Sequence, residues 1–160
     1  MNTLKILMLS LFLATSVGAI EKLNNETLAQ RIKNKDYQNI KNWDVSNVTN
    51  MSYLFYHNKD FNEDIGDWDV SNVRDMSWMF RDAPSFNQDI GNWDTGKVTS
   101  MLGMFEEAKS FNQDIRSWDT SSVVNMSQMF YNNPTFKYDL RGWNTKKVTN
   151  FSYMWGKSKR

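Results

Sequence analysis

The stretch Ile65-Gly-Asp-Trp68-Asp-Val70-Ser-Asn-Val73-Arg-Asp-Met76-Ser-Trp78-Met79-Phe80-Arg-Asp-Ala83-Pro-Ser-Phe86 decides the reading of this chain, because it returns. Tryptophan recurs every 25 residues at Trp43, Trp68, Trp93, Trp118 and Trp143. Val48, Val73, Val98, Val123 and Val148 keep the same step, as do Phe55, Phe80, Phe105 and Phe130, then Trp155. So do Ile40, Ile65, Ile90 and Ile115, then Leu140. No insertion breaks the register. Self-similarity at a period of roughly 20 to 50 residues marks a stack of coils in which each unit buries its apolar side against its neighbours.

Within one unit, apolar residues at Ile65, Trp68 and Val70 have the L-x-x-L-x-L spacing of a leucine-rich-repeat strand, which predicts a short strand at about residues 67–70. Val73, Met76, Met79 and Phe80 follow at three- and four-residue spacing, which predicts a helical or 3₁₀ turn with Ser77 near its start. Phe61-Asn-Glu-Asp64 and its copies at Phe86 and Phe111 form the return corner, where Asn and Asp suit tight turns and stacked copies would make ladders. The expected fold is a leucine-rich-repeat-like solenoid. Each 25-residue coil supplies a short β-strand and a short helical turn around a continuous apolar core.

The rest of the chain fits around that unit. Lys5, the apolar run from Ile6 to Ala14 and the small residues Val17, Gly18 and Ala19 read as a signal peptide over residues 1–19. That run is too short for a membrane span, and no later segment is long enough. Residues 20–39 carry a capping helix around Asn25, Leu28 and Ile32, residues 40–155 the coils, and residues 156–160 a basic tail. Lys and Arg total 19 against 18 Asp and Glu, a balance that points away from nucleic acid and membrane surfaces. With no cysteine, neither a disulfide framework nor a lipid-anchored cysteine is expected. The last coil has only Gly156 to Arg160 after Trp155 to cover it, which leaves two readings open: self-association there, or its prevention by the charged tail.

The pattern W-D-[VT]-S-x-V-x-x-M-S-x-M-F-x-x-A-x-x-F-N-x-D-I resembles the repeat of BspA-like leucine-rich-repeat bacterial surface proteins, with related repeats in mycoplasma lipoproteins, from Ile40 to Trp155. The resemblance implies an exported or surface-attached protein that meets other proteins, in some cases as an adhesin, and it implies no catalytic residues. The final unit diverges, with Asn144 replacing the aspartate of Asp44, Asp69, Asp94 and Asp119, and Lys137 replacing a recurrent Asn.

Residues repeated in every coil serve the coil, whereas catalysis needs unlike groups that converge once. His57 is the only histidine and is expected on the surface, so no Cys-His or Ser-His-Asp set is evident. Acid pairs such as Asp64 with Asp69 return in several coils, which argues against glycoside hydrolysis. Stacked aspartates need compensation, supplied by backbone N–H groups in Asx turns or, as the alternative, by calcium. Met76 with Met79 and its copies could ligate Cu(I), but Leu54 and Phe151 share those columns, so the position asks for apolar bulk. The Trp column points inward. The Asn47, Asn50, Asn125 and Asn150 sequons are a by-product of the repeat. The expectation is therefore no enzyme, no cofactor and no metal.

Recognition is expected where coils differ. The strand face runs from Asp67 and Asp69 through Asn92 and Asp94 to Arg116, Asp119 and Arg141, drifting from acidic to basic. The rival face carries Tyr53, Trp78 and Tyr153 in a column shared with Gly103 and Gln128. The functional expectation is an exported, non-enzymatic, adhesin-like repeat protein, secreted, periplasmic or loosely attached to the surface, with protein partners on host or neighbouring cells. A structural or self-assembling envelope component is the alternative.

Overall fold

The computed structural model describes residues 21–156. The signal-peptide reading and all of the basic tail but Gly156 lie outside them. One α-helix, α1 (Asn25–Lys33), precedes a single 3₁₀ turn (Ile40–Asn42), and every later unit is built from turns. Asn24 caps α1, with its side-chain oxygen accepting from the Glu26 and Thr27 backbone N–H groups. The neighbouring Asn25 has another task. Its side-chain oxygen accepts from the N–H of Thr49 at 2.8 Å and of Asn50 at 3.2 Å, tying α1 to the first coil while Leu28 and Ile32 bury against the core.

The expected leucine-rich-repeat-like solenoid of strand plus helical turn is not formed. Among the described residues there is no strand beyond isolated parallel bridges, chiefly the column Asn50, Asp75, Ser100, Asn125 and Asn150. The reason lies in where backbone groups are spent. Around residues 67–70 the backbone bonds stay within their own coil, with Trp68 N–H donating to the Ile65 carbonyl and Val73 N–H to that of Val70, and none among the described residues reaches a neighbouring coil. The segment expected to be helical makes the cross-coil bonds instead. Met51, Tyr53, Phe55 and His57 donate N–H groups to the carbonyls of Asp75, Ser77, Met79 and Arg81 in the next coil, all at 2.9 Å. Between them, Leu54 and Tyr56 donate three residues back in the same coil. Three- and four-residue apolar spacing suits this alternating ladder as well as it suits a helix.

The alternation requires left-handed backbone at fixed columns. Tyr53, Trp78, Gly103, Gln128 and Tyr153 all lie at φ between 53° and 59°, and His57, Asp82, Glu107 and Asn132 between 50° and 57°. Only Gly103 avoids the clash of a Cβ with the following carbonyl. Gln128→Gly is therefore expected to raise stability by roughly 0.5–1 kcal/mol, measured by urea unfolding, since relief of the left-handed strain at φ 57° outweighs the chain freedom that glycine adds to the unfolded state.

Asx turns close the corners. Asp44, Asp69, Asp94, Asp119 and Asn144 each accept from the backbone N–H two residues on, at 2.9 to 3.2 Å. Asp64, Asp89, Asp114 and Asp139 do the same at a second corner, at 2.9 to 3.1 Å. The return corner forms a side-chain ladder, with Asn62 accepting from Asn87 N–H and Asn87 from Asn112 N–H, both at 2.9 Å.

The core is a set of aromatic columns. Phe55, Phe80, Phe105, Phe130 and Trp155 stack at centroid distances of 5.3, 5.7, 5.7 and 5.0 Å. Phe61, Phe86, Phe111 and Phe136 make a parallel column, and within a coil Phe105 faces Phe111 at 3.9 Å. The Trp column is buried, and each indole N–H from Trp68 to Trp143 donates to the carbonyl of Ile40, Ile65, Ile90 or Ile115 in the preceding coil.

Candidate functional site

The repeated carboxylates on the first face belong to turns. Asp69, Asp94 and Asp119 are exposed. Hydrogen bonds from the Ser71 hydroxyl and N–H hold the Asp69 carboxyl below its usual range, and those of Ser121, the N–H foremost, do the same for Asp119. These bonds stabilise the ionised form. Among the described residues no three His, Cys, Asp or Glu side chains gather to hold a metal ion.

Asp67 and Asn92 occupy equivalent exposed turn positions in successive coils. Arg116 and Arg141, one coil apart, are each held by the aspartate two residues before. Arg116 donates Nε and Nη2 to Asp114 at 2.9 and 2.6 Å, and Arg141 grips Asp139 in the same way. This bonding, chiefly from the arginine side chains, lowers Asp114 and Asp139 to about 2. Arg116 also lies over the Tyr138 ring, 5.6 Å from its centroid. Of the residues singled out on this face, the structure brings Asn92 and Arg116 into one groove of about 530 Å³, lined also by Asp89, Gln113, Asp114, Ser117 and Tyr138. Asp67 and Arg141 do not line it.

On the other face Tyr53 and Trp78 stack at 4.9 Å, both at left-handed φ. The Trp78 indole lies over Gly103, where a Cβ would meet its Cδ1 at 2.5 Å. Tyr153, 63% exposed, stands at the far end of the stack beside Tyr131, so the three aromatics form no single patch.

Two pairs escaped the column-by-column reading. His57, exposed, contacts the Asp82 carboxylate one coil on. Glu106, with a side chain only 6% exposed, meets Arg81 Nε at 3.2 Å. A signal existed: the column Tyr56, Arg81, Glu106, Tyr131 sets opposite charges one repeat apart. Burial is the larger influence and raises the Glu106 carboxyl above its ordinary 4.5, against the pull of Arg81. The folded state then takes up this proton before the unfolded state does as pH falls. Between pH 7 and 4.5 the native protein should thus gain stability relative to Glu106→Gln, and below 4.5 the difference should level off. Paired urea titrations across that range measure it.

The sequence matches the family described as "Mycoplasma protein of unknown function, DUF285" over residues 23–137 and again over 90–160. The chain belongs to this family. The match agrees with the mycoplasma side of the resemblance carried by the repeat, although it does not itself define the repeat motif. No curated protein and no solved structure matches the chain. No helix among the described residues is long and apolar enough to cross a membrane.

Proposed function

We propose that the chain is an exported, non-enzymatic protein-interaction repeat of bacterial surface type, adhesin-like, whose partners are proteins on host or neighbouring cells. The observation that carries this reading is the groove where groups from columns that vary between coils converge, with exposed Asn92, Arg116 and Ser117 beside half-buried Tyr138. The repeated polar groups are spent on turns, and the repeated aromatics on the core. Asp114 engages two of the Arg116 donors, and the remaining N–H groups serve a partner's carboxylate or carbonyl. The basic and apolar leader at Lys5 to Ala14 supports export.

The test is saturable binding of the purified chain to surface proteins of host or neighbouring cells. Reversal of Arg116 and Arg141 to Glu should weaken the captured partner's affinity by about tenfold or more. Unchanged affinity for every partner would remove this face from consideration.

A further inference from the structure

The cross-coil ladder is directional. In the segment that begins at Met51, the alternate N–H groups all point toward the following coil, and the carbonyls that receive them all point toward the preceding one. The two ends of the described stack therefore display opposite halves of the same bond. At the far end the column would next use the N–H groups of Phe151, Tyr153 and Trp155, which have no acceptor among the described residues. At the near end it would use the carbonyls of Asn50, Ser52 and Leu54, which have no donor among them.

Both edges are accessible. Phe151, Tyr153 and Trp155 are 45%, 63% and 55% exposed, although the coils above them bury Met126 and Phe130 in the columns of Phe151 and Trp155. The near edge borders a groove of about 500 Å³ between α1 and the first coil, lined by Asn25, Ala29, Lys33, Tyr53 and Leu54 among others. Asn25 substitutes for a preceding coil only at Thr49 and Asn50 N–H, and it leaves the three carbonyls alone.

We propose that the C-terminal edge, residues 151–155, docks in the α1 groove of a second copy of this chain, joining copies head to tail. The occupant follows from bond polarity. Two C-terminal edges would set N–H against N–H, whereas the acceptor row of the groove matches the donors in number and spacing. By the register that joins Met126 to Asn150, Phe151, Tyr153 and Trp155 donate to Asn50, Ser52 and Leu54 of the second copy. The same register lays Tyr153 over the second copy's Tyr53, repeating the contact of Tyr53 with Trp78. Addition at such a backbone edge draws affinity from main-chain bonds, as strand addition to a sheet does. Because the two surfaces differ, the assembly does not close at a dimer but grows. The joint is independent of the Arg116 groove on the other face.

Sedimentation velocity on the full-length chain tests it. The weight-average mass should rise with concentration past twice that of the chain, without a plateau there. Ala29→Arg fills the groove from an exposed helical position, and Trp155→Glu sets a carboxylate against the carbonyl row; each should be monomeric. Near-UV circular dichroism checks the last coil of Trp155→Glu, and Phe151→Asp replaces it should that coil fray. Mixed in equal amounts, the groove-blocked and edge-blocked chains retain one working surface each and should form a complex that stops at two chains. A wild-type protein that stays monomeric or halts at a dimer overturns the proposal. So does association that survives Ala29→Arg, the result expected if the leader or a tail-to-tail contact held the copies together.

Discussion

Phe105→Ala is expected to lower unfolding stability by about 3–5 kcal/mol, the range for deleting a fully buried phenyl ring. Phe105 has no exposed surface and is central to its column, with Phe80 and Phe130 each 5.7 Å away and Phe111 at 3.9 Å. The backbone on both sides is pinned by cross-coil bonds, Phe80 N–H to the Met104 carbonyl and Phe105 N–H to that of Met129, so the walls cannot collapse into the space. A domain of this size has about 5–15 kcal/mol in total, and the loss is a large share of it. Urea unfolding followed by tryptophan fluorescence measures it. Trp155→Ala, in the same column but 55% exposed, should cost much less. Equal costs for the two would show that the column is not a cooperative core.

The second large effect is Trp118→Phe, expected to cost about 1–3 kcal/mol. The substitution keeps an aromatic ring but removes the indole N–H that reaches the Ile90 carbonyl of the preceding coil at 3.0 Å. The Ile90 carbonyl keeps its bond from the Trp93 backbone N–H at 3.2 Å, so the lost hydrogen bond costs about 0.5–1.5 kcal/mol, and the lost ring volume adds to it. Trp118 also stacks between Trp143 and Trp93, each 6.3 Å away, so its loss is felt in both adjoining coils. Comparison with Trp118→Leu separates the terms: the leucine variant lacks the same hydrogen bond and loses the stacking as well, so it should be the less stable of the two. A phenylalanine variant as stable as the wild type would deny the indole bond any role in holding coil to coil.

The inward columns were legible in the sequence because burial repeats with the period. Trp68, Val73, Met76, Phe80 and Phe86 could be assigned to the core from spacing alone. The backbone was not legible in the same way. Met76, Met79 and Phe80 point inward at a spacing common to a helix and to a turn ladder with left-handed residues, and nothing in Tyr53, Trp78 or Gln128 advertises positive φ. Gly103 alone in that column carried the hint. The strand placed at residues 67–70 failed because Asp64 and Asp69 turn the chain just before it and at its end with Asx turns.

The candidate faces were only partly legible. Variation between coils singled out Asn92 and Arg116, which are exposed, but it could not show that Asp114 already grips Arg116, since the two lie two residues apart in one coil. Arg81 and Glu106 escaped notice for the opposite reason, being a pair made between coils at 3.2 Å.

The cross-coil bonds have a consequence for length. Each joins one column to its neighbouring column, with donor and acceptor separated by nearly one repeat, as in Met76 to Ser100 and Met101 to Asn125. Excising residues 91–115 would return each donor above the cut to a chemically equivalent acceptor below it. The protein can thus change height only in whole steps, keeping its cross-section and both ends intact. Recombination between repeats would act on it as a ruler.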